Sequence, residues 1–270
     1  MIWSYAVTTV PERIEDPLPR TLCSLAMAGW DRPRLSVDGE GLRPDTRAHL
    51  PERPLSEIAR QYEAAFPSLS LTVRSPNARP FANWYLAALE LYLRVPLADR
   101  YALFQDDIVV CRNTRAYLES IPYPEKGYCN LYTHTATNEP LIAGKLGWIE
   151  GGLTNPPPPL GTNANRWQAG RSATALVFDR AAMQALLTAY AMVDHATDST
   201  KGWRKVDGAI VNAMNQAGFR EYVHAPSLAQ HTGERTSMRS LPQKYAASFP
   251  GEEVDALEFL TSRTGAGANA

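Results

Sequence analysis

Two adjacent carboxylates stand inside an apolar run. In Leu103-Phe104-Gln105-Asp106-Asp107-Ile108-Val109-Val110, Gln105 is the only other polar residue. Ionised carboxylates are costly to bury unless they are paired or hold a metal. A hard cation such as Mn²⁺ or Mg²⁺ suits oxygen ligands and can bridge them to phosphate oxygens. The pair therefore reads as a metal site that also meets a phosphorylated ligand. The competing reading is a strand end followed by a turn that aspartate favours.

The elements around the pair bear on these readings. Ile2 to Thr9 is β-rich and bounded by Pro11, which predicts a first strand. Thr21 to Ala28 has helical spacing and stops at Gly29. Leu35 to Val37 predicts a short strand ending in Asp38-Gly39, Leu55 to Phe66 a helix, and Leu69 to Val73 a third strand. Phe81 to Leu93 puts Trp84, Leu86, Leu89 and Leu93 near one helical face, and Tyr101 to Gln105 is a fourth strand leading into Asp106-Asp107. Alternating strands and helices imply an α/β fold: one domain with a doubly wound, mainly parallel sheet and helices on both faces. Ligands sit beyond the carboxyl ends of such strands, where Thr8, Thr9, Asp38, Asp106 and Asp107 are all expected.

The second half is expected to hold a long Gly-, Asn- and Pro-rich loop over Gly144 to Gly170, read as a substrate-binding lid. A strand over Ala173 to Phe178, helices over Arg180 to Met192 and Val206 to Ala217, and a last strand over Arg220 to His224 follow. The division expected is a catalytic domain over 1–240, with a nucleotide-binding half to about 110 and an acceptor half over 111–240. A C-terminal tail covers 241–270, with a disordered end from Gly265.

These residues resemble the GT-A fold glycosyltransferases, which use nucleotide sugars and a metal-binding Asp-X-Asp motif. The likeness covers roughly Ser4 to Met238. Val7-Thr8-Thr9-Val10-Pro11-Glu12-Arg13 looks like the family's first strand and nucleotide-binding turn. Val37-Asp38-Gly39 looks like the second strand end, whose acidic residue meets uracil or ribose. Asn83-Trp84-Tyr85-Leu86 resembles the helix before the metal motif, and Gln105-Asp106-Asp107 sits at that motif, with Gln105 in place of its first aspartate. The resemblance implies Asp107 and His231, in Gln230-His231-Thr232-Gly233, as metal ligands. It implies Thr8, Thr9, Arg13, Asp38, Asn83, Gln105 and Asp106 as donor contacts. Gln168 to Ala175 looks like the family's small-residue loop facing donor and acceptor. Asp207, in Val206-Asp207-Gly208, matches the general base of inverting members; as a helix N-cap it would be structural.

The activity so implied is a hexosyltransferase reaction. A sugar moves from a Mn²⁺- or Mg²⁺-chelated donor, UDP-glucose or similar, to an acceptor hydroxyl on a saccharide, a small molecule or a hydroxymethylated DNA base. The alternatives are a non-catalytic nucleotide-sugar or carbohydrate-binding module and a metal-dependent phosphoesterase. The stretch from Lys201 to Lys244 holds Lys201, Arg204, Lys205, Arg220, Arg235, Arg239 and Lys244 against Asp207, Glu221 and Glu234. It reads as a solvated face or as a surface for a polyanion such as DNA. Trp148, Trp167 and Trp203 are candidates for stacking on a sugar or base.

Composition sets the outer bounds. The chain has 270 residues, 44% of them hydrophobic, and a net charge of -1, so no global field gathers nucleic acid or acidic membrane. Three widely spaced cysteines argue against a disulfide framework or a cysteine zinc site. Met1 to Val10 lacks the basic start of a signal peptide, and no apolar run approaches the roughly 20 residues that span a bilayer. A cytoplasmic protein without membrane insertion is expected; nothing in the sequence sets an oligomeric state.

Overall fold

The computed structural model describes residues 1–39, 54–74, 78–133, 142–151, 172–197, 206–232 and 245–265. The first strand, β1 (Trp3–Thr9), leads through a 3-10 turn at Pro11–Arg13 into α1 (Leu18–Met27). Leu18, Thr21, Ser24 and Leu25 face inward on α1, the three- and four-residue spacing that buries one helical stripe. The helix ends at Gly29, whose φ of +104° favours a residue without Cβ.

The elements β2 (Arg34–Asp38), α2 (Leu55–Ala65), β3 (Leu71–Arg74), α3 (Arg79–Arg94) and β4 (Arg100–Gln105) follow. The chain continues through β5 (Ile108–Val110), α4 (Thr114–Ser120), β6 (Gly127–Asn130), β7 (Gly147–Glu150) and β8 (Ala175–Asp179). It closes with α5 (Arg180–Thr188), α6 (Tyr190–Thr197), α7 (Val206–Gln216), β9 (Arg220–Ala225), β10 (Ala229–His231) and α8 (Glu258–Gly265).

The result is a mixed α/β domain with an eight-stranded sheet in the order β3-β2-β1-β4-β8-β6-β9-β7. It is mostly parallel. The first four strands run together, β6 pairs parallel with β9, and only β8 and β7 run against their neighbours. Side chains alternate across it as the period of two demands. Val7, Ala102, Phe104, Cys129, Ala175 and Val177 face a core with α1, α2 and α4. Ala6, Tyr101, Leu103, Tyr128, Leu176 and Phe178 face a second core with α3, α5, α6 and α7. Helices thus cover both faces. Burying a side chain the size of Phe104 or Leu103 contributes about 2–3 kcal/mol.

Three features differ from the sequence expectation. The helix expected over Arg180 to Met192 is two helices, broken at the extended Ala189. Thr188 Oγ1 donates back to the Gln184 carbonyl at 2.8 Å, a bond that competes with the helical ladder. The short strands β5 and β10 form a separate antiparallel pair. Residues 245–265, read as tail, pack on the first core: Ala246 and Ala256 are buried in it, and Phe249, Leu257 and Phe259 lie against it. No helix among the described residues is long and apolar enough to cross a membrane.

Candidate functional site

The acidic pair sits between β4 and β5, and both elements hold it from outside the pair. The parallel register of β1 and β4 ends at Thr8 opposite Gln105, which puts Thr8 and Thr9 beside the carboxylates. Among the described residues β5 pairs only with β10, and its other edge lies against α1. Two inward hydroxyls replace the missing strand there. Thr21 Oγ1 accepts from Ile108 N (3.1 Å) and lies 2.8 Å from the Asp106 carbonyl. Ser24 Oγ accepts from Val110 N at 2.7 Å. A buried unpaired backbone group would cost roughly 1–3 kcal/mol, so these two residues fix the backbone carrying Asp106 and Asp107. Polar residues on the buried stripe of a helix were the signal in the sequence, and that reading passed over them.

Both carboxyl groups are about 3% exposed. Arg13, from the turn after β1, binds both with one nitrogen: Nη1 contacts Asp106 Oδ1 and lies 2.8 Å from Asp107 Oδ2. Burial pushes the Asp106 carboxyl up, and the Asp107 charge adds to this, while the Arg13 guanidinium opposes it. The two carboxylates hold Arg13 in its charged form. With both aspartates ionised, the trio keeps a net negative charge, which favours a further cation.

The remaining oxygen, Asp107 Oδ1, faces His231 Nδ1 at 3.6 Å. The separation is too long for a direct hydrogen bond. It is near the span of about 3 Å between adjacent ligands of one octahedral ion with metal–oxygen distances of about 2.1 Å. His231 reaches this place because β10 runs antiparallel to β5, with His231 opposite Ile108 and Thr232 N donating to the Asp107 carbonyl at 2.8 Å. The residues thus fit a divalent cation of the Mn²⁺ or Mg²⁺ type. Among the described residues, no group of three or more His, Cys, Asp or Glu could hold one alone. Ligand oxygens or water would complete the shell, as is usual for Mg²⁺ at phosphates.

The other donor-site candidates are placed unevenly. Asp38 is buried, and its Oδ1 accepts from Ala78 N at 2.7 Å, tying the end of β2 to the start of α3. Burial pushes its carboxyl up to about 7. Gly39 follows because a Cβ there would lie 1.8 Å from the Arg74 carbonyl oxygen. Asn83 is fully engaged inside the protein: its Oδ1 accepts from Arg74 Nε at 2.8 Å and from Ser36 Oγ at 3.0 Å, and its Nδ2 donates to the Ser36 carbonyl. Gln105 is half-buried, and its backbone N donates to the Thr174 carbonyl at 2.8 Å. Trp148 packs edge-on against His224, with ring centroids 5.1 Å apart.

Asp207 lies in the first turn of α7, and its Oδ1 accepts from Ala173 N at 3.3 Å. This anchors the helix start to the segment entering β8, at the sheet edge that carries Asp106. Trp167, Trp203, Gln168 to Arg171, most of the 144–170 loop and the basic residues of 201–205 and 233–244 lie outside the described residues.

Comparison with known proteins adds the following. No family model matches the chain, and no curated protein matches it. A solved structure described as a glucose-1-phosphate thymidylyltransferase from Bacillus anthracis, in complex with sucrose, aligns with a TM-score of 0.44 at 11% identity, over 84% of this chain and 89% of that one. A mannose-1-phosphate geranyltransferase from Thermus thermophilus aligns with a TM-score of 0.40 at 14% identity, over 83% and 74% respectively. Neither likeness is close enough to carry a function across.

One group near Asp207 escaped the sequence reading. Glu221 on β9 is buried; its Oε1 accepts from Asn130 Nδ2 at 2.9 Å, and Asn130 also reaches the Ser172 carbonyl at 3.4 Å. Burial pushes its carboxyl from 4.5 up to about 7, and the Asp207 charge adds to this. A carboxyl raised on folding stabilises the fold while protonated. Its contribution is complete below pH 4.5 and is lost as the pH climbs through about 7. Glu221→Gln, which stays neutral, is therefore expected to gain stability over the parent between pH 5 and 8, on the order of 2–3 kcal/mol by pH 8. Thermal melts of both proteins across that range check this; a difference independent of pH would refute it.

Proposed function

We propose that the chain is a glycosyltransferase taking a metal-chelated nucleoside diphosphate sugar, with UDP-glucose as the type donor. The observation that carries this reading is the buried Asp106-Asp107 pair at the carboxyl end of β4, with His231 brought to 3.6 Å from Asp107. Such a pair at such an edge is suited to a cation and a diphosphate.

In this reading Asp107 and His231 would hold a Mn²⁺ or Mg²⁺ ion, which would offset charge on the leaving diphosphate. Arg13 pairs with both carboxylates and fixes them before the donor arrives. Thr8 and Thr9 line the floor between the pair and the nucleotide. Gln105, on the same edge, offers an amide to the donor. Asp38 and Asn83 shape the nucleotide pocket from behind, through the start of α3 and through Arg74.

Asp207 accepts the proton of the acceptor hydroxyl. The freed oxygen attacks the anomeric carbon as the bond from that carbon to the diphosphate oxygen breaks, and the bonding electrons leave with the diphosphate. The product is inverted at the anomeric carbon.

Calorimetric titration with nucleoside diphosphate sugars, with Mn²⁺ and with a chelator, tests the reading. Mn²⁺-dependent binding of at least one such donor is expected. Equal affinity in chelator would remove the metal from the reading. Binding of no donor would remove the assignment, and rapid donor hydrolysis without acceptor would point to a phosphoesterase. An acceptor screen should include saccharides and hydroxymethylcytosine DNA; steep loss of turnover with salt would mark the DNA.

A further inference from the structure

The opposite end of the sheet holds a cavity, which none of the donor chemistry uses. It has a volume of about 260 Å³ and lies among the start of β1, the start of β2 and the last turn of α3. Three arginines line it: Arg32, Arg34 and Arg94. Trp3 and Tyr5 supply aromatic walls, and Ser70 supplies a hydroxyl.

The charge there is unbalanced. Among the described residues no carboxylate lies within ion-pairing distance of Arg34 or Arg94, and Arg32 has only Asp31 at 3.9 Å, with both side chains largely exposed. The nearby Glu90 is taken by Arg74 at 2.8 Å. Burial and the Arg94 charge press the Arg34 guanidinium toward losing its proton, and the Glu90 charge offsets this only in part. Like charges gathered around one hollow repel each other, and an anion in the hollow removes that cost. Guanidinium forks match the tetrahedral oxygens of phosphate, and their bonds to it are charge-assisted. The apolar walls leave room for an organic group beside the anion.

We propose that this cavity is a binding site for a phosphate group, carried by a small phosphomonoester or free as orthophosphate. It is separate from the acidic pair. At about 3.3 Å per residue, the length of β1 between Ser4 and Thr8 sets them roughly 13 Å apart. Site occupancy therefore neither requires nor excludes the transferase reading.

The experiment uses the full chain, with orthophosphate in one arm and ribose 5-phosphate in the other, read by thermal melting and by calorimetry. Both probes are expected to raise the melting temperature. Arg34→Gln and Arg94→Gln should each weaken binding by roughly tenfold or more, the effect of losing one charge-assisted bond. Asp107→Ala should leave phosphate affinity unchanged, even if the metal assignment at Asp107 fails. Tighter binding of ribose 5-phosphate identifies an ester as the ligand, and equal binding identifies the free ion. The proposal is overturned if neither probe binds, if both arginine variants bind as the parent does, or if Asp107→Ala abolishes binding and so places the anion at the acidic pair.

Discussion

Asp107→Ala is expected to abolish Mn²⁺-dependent donor binding while leaving the protein folded. The carboxylate faces His231 through one oxygen and Arg13 through the other, so its loss removes a ligand and a charge together. Even residues behind the ligands change metal affinity by 10–100-fold, so loss of a ligand should weaken binding by at least about a hundredfold. Arg13 keeps Asp106 as its partner in the variant, so the guanidinium is not stranded. Asp107→Asn is the companion substitution, since it preserves volume and most of the packing. A circular-dichroism melt near that of the parent, with calorimetric silence toward Mn²⁺ and donor, is the expected pair of results. Parental affinity in both variants would assign the acidic pair to structure.

Asp207→Asn should cut turnover by about 10²–10⁴-fold, the usual scale for a lost general base. The amide oxygen can still accept from Ala173 N, so the start of α7 should stay attached to the sheet. Donor affinity is expected to be unchanged, which separates this variant from the one at Asp107. Steady-state kinetics with any acceptor that tests positive gives the answer: a fall in kcat with KM held. Turnover equal to the parent would take Asp207 out of the chemistry and favour a retaining route.

Much of the fold was legible because its signals are local. The helix α3 was legible from its spacing, but not its inner face: of Trp84, Leu86, Leu89 and Leu93 only Trp84 is buried, Leu93 is 65% exposed, and Phe81, Ala88 and Leu91 join Trp84 in the core. Tyr101 to Gln105 reads as a strand because it is a continuous apolar run, and it is buried on both faces. The direction of β8 was not legible, since an apolar run of Ala175 to Phe178 looks the same whichever way it enters a sheet. The strands β5 and β10 were missed for a related reason: three residues each carry too little periodicity.

At the site, Asp106 and Asp107 stood out because charge inside an apolar run is rare. Arg13 belongs to a turn far from them in sequence, and only the parallel register of β1 and β4 puts its guanidinium between the two. Asn83 shows the reverse problem. Its position before the acidic motif suggested a ligand contact, whereas Ser36 and Arg74 take up its amide. Glu221 carried no signal, because a single glutamate in a short strand is ordinary until its surroundings exclude water.

The pairing of β5 with β10 has a kinetic consequence. The two strands lie in the first and second halves of the chain, and contacts between distant segments form late because a long loop must first be closed. During synthesis the N-terminal strands can order themselves before β10 has emerged. The acidic pair then waits, held by Arg13, Thr9 and the hydroxyls of α1, for the histidine to arrive. Ion-binding competence should accordingly be among the last properties to appear in refolding, after the burial of Trp30 and Trp84 has changed their fluorescence.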